Sequence, residues 1–459
     1  MACKWSGFAF PMLLLLFTSP AVSTGPDDTP AQPAGKYNGP GSCAASSCHG
    51  SVQPKHVTPV LQDEYSIWIA QDKHARAFGS LSTPVSVRMG KILGTKCGDG
   101  KPCPPSQTPQ CLACHALSVA PEQRAQSFEA DDGVSCESCH GPASGWLGPH
   151  TIKDWPHERS VGLGMYDNRD LVRRSEKCLA CHLGTADKSV DHEMIAAGHP
   201  DLTFELSYFS FYMPRHWKTP EQGNAWREVQ ALGVGQAVQL RESLYRLARR
   251  AEGANWPEYA ELDCFACHHS LTAASDSWRL TAADYYAGRR PGVPEWNESR
   301  VMVFRAMVEE LHPEAAKQLN AELATLSGLM NQLDRKPAEI AATAKRAAAV
   351  AGKLESPLAN QLYNPAVTVR LMRRIAAAGN VIAAEGERPA EQAAMALDVL
   401  CRAYQANSSQ NMPAVRASID SLIQLVQQNP SYYSAPRFGA QMQKVREALA
   451  GYGEAAGAR

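Results

Sequence analysis

Ten of the 14 cysteines fall in pairs followed at once by a histidine. Four pairs have the form C-x-x-C-H: Cys111-Leu-Ala-Cys114-His115, Cys136-Glu-Ser-Cys139-His140, Cys178-Leu-Ala-Cys181-His182 and Cys264-Phe-Ala-Cys267-His268. This spacing places two thiols on one helical turn, where they can add to the two vinyl groups of a porphyrin. The next residue then sets its imidazole under the iron. A zinc half-site would need no histidine at that fixed place. The first pair, Cys43-Ala-Ala-Ser-Ser-Cys48-His49, has four residues between its cysteines. A disulfide or two free thiols is the other reading of that pair; His49 in the proximal position favours attachment. The expected cofactor is therefore haem c, covalently held at five sites.

What such iron does depends on its second axial ligand. Two histidines give an electron carrier, whereas an open position gives iron that can bind a small molecule. The remaining histidines are His56, His74, His150, His157, His192, His199, His216, His269 and His312. His192 and His199 are seven apart, and Gly198 and Pro200 should break any helix between them, leaving His199 to point elsewhere. They are expected to ligate the fourth and fifth haems, in either order. His269 directly follows a proximal histidine and cannot easily reach the same iron. His312 precedes Pro313 and reads as an ordinary helix-start residue. Met165, Met194 and Met213 read as packing.

The order of motifs resembles the tetrahaem cytochrome c-554 family. The residues that carry the resemblance are Cys48-His49, Trp68, the run from Asp72 through His74 to Ala77, Gly133-Val-Ser-Cys136-Glu-Ser-Cys139-His140-Gly141-Pro142, His150 and Cys178-Leu-Ala-Cys181-His182-Leu183. Members of that family carry electrons from hydroxylamine oxidoreductase. The resemblance spans about residues 42–183, so Cys264 and everything after it make this an enlarged relative. It implies His74 as distal ligand of the third haem, at His140, and His150 as distal ligand of the first, at His49. It also implies an open distal side at the second haem, where a small-molecule ligand could bind beside His115. His56, His157 and His216 remain available to fill that position.

Cys97-Gly-Asp-Gly-Lys-Pro-Cys103 is a tight loop expected to close by a disulfide in an oxidising compartment. Cys401 lies among apolar helical positions and reads as a buried free thiol. Phe204, Tyr208, Phe209, Phe211, Tyr212 and Trp217 could pack around haem edges or form ordinary core.

These groups need elements to hold them. Residues 1–24 read as a signal peptide, with Lys4, an apolar run from Phe8 to Phe17 and small residues after it. The run is too short to span a bilayer easily, and no later stretch is apolar enough, so the expected location is the periplasm with no transmembrane span after signal removal. Residues 25–41 read as a flexible leader. The fold class expected is mainly α, in two parts. Residues 42–275 form a pentahaem cytochrome domain with sparse secondary structure around stacked haems. Residues 276–459 form a C-terminal helical bundle. Leu319, Leu323, Leu326, Met330 and Leu333 mark one helix seam, and further helical patterns cover about 338–353, 367–384, 389–406, 413–428 and 440–450. The 45 basic and 46 acidic residues argue against a nucleic-acid partner. Electron transfer between redox protein partners is the leading function. The alternatives are an oxidoreductase acting on a small nitrogen or sulfur compound, and an assembly module that docks through its helical tail. The absence of C-x-x-C-K gives no support to a lysine-ligated nitrite reductase haem.

Overall fold

The structure is a computed structural model that describes residues 35–58, 60–218, 225–264, 266–268, 293–428 and 433–452. The expected signal peptide, the expected domain boundary at 275 and His269 lie outside the described residues. The fold is mainly α. Among the described residues there is no β-strand, only isolated bridges at Tyr37–Arg124, Lys96–Pro102 and Leu262–Trp296. No helix among them is long and apolar enough to cross a membrane.

The cysteine-rich part is built from short helices: α1 (Glu64–Gln71), α2 (Pro84–Leu93), α3 (Pro109–His115), α4 (Cys136–His140), α5 (Leu171–His182), α6 (His192–Ala197) and α7 (Leu206–Tyr212). Their starts are fixed by side chains that accept from orphan backbone N–H groups. Asp170 accepts from the N–H of Arg173 at 2.9 Å, Asp191 from that of Met194 at 2.8 Å, and Glu205 from those of Ser207 and Tyr208. Gly198 ends α6 in the left-handed region at φ 117°.

A long helix, α8 (Arg227–Glu252), follows. It was not legible in the sequence, because its buried positions run almost without interruption from Val229 to Leu240. A helix covered on most sides shows little of the amphipathic period that marks a surface helix. It packs on α5 and α7 and on helices from the C-terminal half, so that Leu179, Leu206, Val238, Leu244, Leu319 and Ala347 belong to one core.

The C-terminal half comprises α9 (Met302–Leu311), α10 (Pro313–Met330), α11 (Pro337–Lys353), α12 (Pro365–Ala377), α13 (Gly379–Ala384), α14 (Glu387–Asn407), α15 (Pro413–Val426) and α16 (Ala435–Ala448). Leu319, Leu323, Leu326 and Met330 are buried as the seam required, but Leu333 lies beyond the end of α10 and is 73 % exposed. The pattern at 367–384 is two helices, divided at Ala378. The close approach of α16 to Gly379 leaves no room for a side chain: a Cβ there would lie 2.5 Å from that of Met442. Cys401 is fully buried in this core.

Candidate functional site

Helices α3, α4 and α5 each end on the histidine of an attachment motif. The last turn of each therefore carries both cysteines at i and i+3, on one face, with the imidazole at the helix end. At the fifth motif the backbone N–H of His268 donates to the Cys264 carbonyl at 2.8 Å. The first motif reaches the same closure despite its extra residues, since the N–H of His49 donates to the Cys43 carbonyl at 3.1 Å.

Four of these histidines face a second imidazole. The ring centres of His49 and His150 are 6.2 Å apart, those of His182 and His74 6.2 Å, those of His115 and His199 6.3 Å, and those of His268 and His192 6.2 Å. A metal–nitrogen bond is about 2 Å, and the ligating nitrogen lies about 1 Å from its ring centre. Two imidazoles on opposite sides of one iron therefore have centres about 6 Å apart. The four pairs match that spacing, and the residues fit bis-histidine haem.

The pairing differs from the expected one at two of the four distal candidates. His74 faces His182, not His140. Its backbone does lie against the third motif, where its carbonyl accepts from the N–H of Val134 at 3.1 Å, but Asp72 turns the ring toward the fourth. Gly133 permits that approach: at φ 73°, a Cβ would meet the carbonyls of His74 and Ala75 at 2.9 Å. His199 faces His115, where an open side was expected, and does not serve the fourth or fifth motif. Gly198 turns the chain out of α6 just before it. His192 stays on α6 and faces His268. His150 faces His49, as the resemblance implied. His140 faces no other ring among the described residues.

Polar contacts fix which nitrogen points inward. Nδ1 of His49 is bonded to Glu64 Oε2 at 2.9 Å, that of His74 to Asp72 Oδ1 at 3.0 Å, and that of His150 to the Leu147 carbonyl at 2.6 Å. Nδ1 of His199 is bonded to the Pro200 carbonyl at 2.7 Å, and that of His115 lies 3.1 Å from both the Ala77 carbonyl and Ser80 Oγ. In every case Nε2 is left for the metal. Burial, and then nearby positive charge, holds His140 and His182 down at about 4, so both imidazoles are neutral and keep the lone pair a metal needs. Hydrogen bonding to their carboxylates instead raises His49 and His74 above the ordinary histidine value. Phe204 and Phe209 pack on the His182 ring at 5.0 and 5.7 Å, so part of the aromatic cluster does line a motif.

The motifs also touch one another. Cys43 lies close enough to Cys136, and Cys114 to Cys181, for the thiols of each pair to perturb one another. Cys139 lies close enough to Cys178 and Cys181 to interact electrostatically with both. α6 joins the second and fifth motifs, through His199 just past its end and His192 at its start.

Several positioning residues were not singled out in the sequence. Glu64 is the first residue of α1, fifteen residues after His49. Glu137, buried inside the C-E-S-C-H run, accepts from the N–H groups of Asn38, Gly39 and Ala143 at 3.0, 2.7 and 2.7 Å. Trp68, which the resemblance had already picked out, donates to the Val134 carbonyl at 3.1 Å and ties α1 to the start of the third motif. Glu261 binds Arg246 and Arg250, and these donate to the carbonyls of Leu183, next to His182, and Val190, two residues before His192. Cys97 and Cys103 form the expected disulfide, with Cα atoms 5.5 Å apart.

Residues 43–141, which hold the first three motifs, match the family model described as cytochrome c554 and c-prime. No curated protein and no solved structure matches the chain.

Proposed function

We propose, from the match of residues 43–141 to the cytochrome c554 and c-prime family model, that this chain is a pentahaem c-type cytochrome carrying electrons between redox proteins in the periplasm. The observation that carries this reading is the set of four imidazole pairs at 6.2–6.3 Å, each containing one attachment-motif histidine. The return of the His49 amide to Cys43 supports the longer first loop as a fifth attachment site. The Cys97–Cys103 disulfide supports an oxidising compartment.

In this reading residues 42–275 hold the haems, residues 276–459 form the helical part, and α8 joins the two cores. Haem c supplies one-electron exchange at each site. The protein fixes the imidazoles through their Nδ1 bonds, so both oxidation states meet the same geometry. Attachment cysteines that lie near one another bring neighbouring porphyrin edges together. The sites then follow one another in the order His49, His140, His182, His115, His268. Each end of that series offers an electron to a different partner.

Mass measurement of the mature denatured protein tests the reading. Five thioether-bound haems are expected; four would remove Cys43 and Cys48 as an attachment pair.

A further inference from the structure

We propose that Arg388, in the C-terminal half, is the positioning residue that keeps His199 on the metal position it shares with His115. The inference rests on the reading of these two histidines as axial partners. His199 stands outside any helix: α6 ends at Ala197, Gly198 turns the chain out of it, and Pro200 follows. Its N–H donates to the Met194 carbonyl at 3.0 Å, and its Nδ1 bonds to the neighbouring Pro200 carbonyl. Neither bond ties it to a distant segment.

Those ties come just after it. Arg388 Nε donates to Asp201 Oδ2 at 2.9 Å, and its Nη1 donates to Glu391 Oε2 at 2.9 Å and to Thr203 Oγ1 at 3.1 Å. Thr203 Oγ1 in turn donates to Glu391 Oε2 at 3.0 Å. Arg300 donates to the Leu202 carbonyl at 2.8 Å, and Gln392 to the Phe204 carbonyl at 3.1 Å. One guanidinium thus closes a ring of bonds between α14 and the segment that starts two residues after His199. Arg388 is the second residue of α14, where a cation opposes the helix dipole, so the helix itself does not account for it. Its planar fork reaches Asp201 on one side and Glu391 with Thr203 on the other; a lysine ammonium is a single point and cannot span both. Without the fork, Asp201 and Glu391 are left as neighbouring like charges. Asp201 then moves away, and the stiff Pro200 carries that movement to His199.

The test uses the full-length ferric holoprotein. Arg388→Ala should keep its covalent haems by mass, since no attachment cysteine is touched. It should raise the high-spin share of the electron paramagnetic resonance spectrum by one haem. His199→Ala should give the same rise, and the double variant should add one high-spin haem, not two. Arg388→Lys should give a smaller rise. Arg346→Ala, which breaks the Arg346–Glu322 pair at 3.0 Å elsewhere in the C-terminal half, should leave the spectrum unchanged. Should Arg388→Ala fail to accumulate, Asp201→Asn removes the same ion pair and should also raise the high-spin share. A rise in His199→Ala with none in Arg388→Ala or Asp201→Asn would overturn the proposal and leave the pairing standing. Two added high-spin haems in the double variant would put the effect of Arg388 at another iron and overturn it too. An equal rise in Arg346→Ala would reduce the effect to a general loosening and overturn it as well. No rise in His199→Ala would remove the pairing and the proposal together.

Discussion

His49 and His150 face each other with ring centres 6.2 Å apart and planes within 7°, although one follows the first cysteine pair and the other follows the third. The His150 ring is held by Leu147 and packs edge-on to Trp146 at 5.3 Å. Removing it leaves the attachment cysteines untouched. His150→Ala should therefore retain every covalent haem by mass, while the high-spin share of the ferric resonance spectrum rises by one haem. An unchanged spectrum would separate the two histidines and break the pairing.

Carboxylates set two of the proximal and distal rings apart from the others. Glu64 and Asp72 accept from Nδ1 of His49 and His74, whereas His150 and His199 donate to backbone carbonyls. A carboxylate on Nδ1–H adds electron density to the imidazole and favours ferric over ferrous iron. Glu64→Gln and Asp72→Asn should each raise the midpoint potential of one haem, by about 60 mV for a tenfold loss of ferric preference. Ser80→Ala, beside His115, should shift much less, since the Ala77 carbonyl remains. Potentiometric titration reads all three, and equal shifts would deny the carboxylates any special part.

The attachment motifs were legible because their chemistry is local: two thiols and an imidazole within one turn need nothing from the rest of the chain. The partners of those imidazoles were only partly legible, His150 for His49 among them, because pairing depends on how distant segments return. His74 illustrates the difference. Its backbone lies against the third motif, so the family-like run is found beside His140, yet the Asp72 bond directs the ring to His182. The break at Gly198 could be read, but the direction taken after it could not, so the sequence did not show that His199 faces His115. α8 escaped notice for a different reason, being buried on too many sides to show a period. Most C-terminal helices were readable because they begin or end near a proline or glycine, although α9 was missed and α14 was found despite an unbroken buried run at 392–401.

The Cys97–Cys103 disulfide closes a loop that leads into α3. Cys103 Sγ lies 3.6 Å from Thr108 Oγ1, the residue before Pro109, and Thr95 Oγ1 donates to the Cys103 carbonyl at 2.8 Å. A closed loop of this length stabilises by about 2 kcal/mol through the unfolded chain. Cys97→Ser with Cys103→Ser should lower stability by that amount in a denaturant titration and leave the haem mass unchanged. Peptide mapping without reductant should find the two cysteines linked; free alkylatable thiols at both positions would refute the bond.

Glu261 is the anion on which the fourth and fifth motifs are hung. Its carboxylate is almost fully buried and accepts from Arg246 at 2.8 Å and Arg250 at 2.7 Å. The same two guanidiniums donate to the Leu183 carbonyl, next to His182, and to the Val190 carbonyl, two residues before His192. Burial alone would raise the carboxyl; the arginines outweigh it and bring it down to about 2 from an ordinary 4.5. A carboxyl depressed on folding contributes stability that is complete above the unfolded value and is lost as pH falls through the folded one. The contribution should therefore be intact above about pH 4.5 and fade toward pH 2. Glu261→Gln leaves two buried cations without their counter-ion, a change that costs about 3–5 kcal/mol. At neutral pH the variant should unfold at a correspondingly lower denaturant concentration. Between pH 4.5 and 2 its stability should fall less steeply than that of the parent. It should also broaden the resonance signals of two haems, since Leu183 and Val190 lose their anchors together. A parent and variant with parallel acid profiles would show that the cluster is not what sets acid stability here.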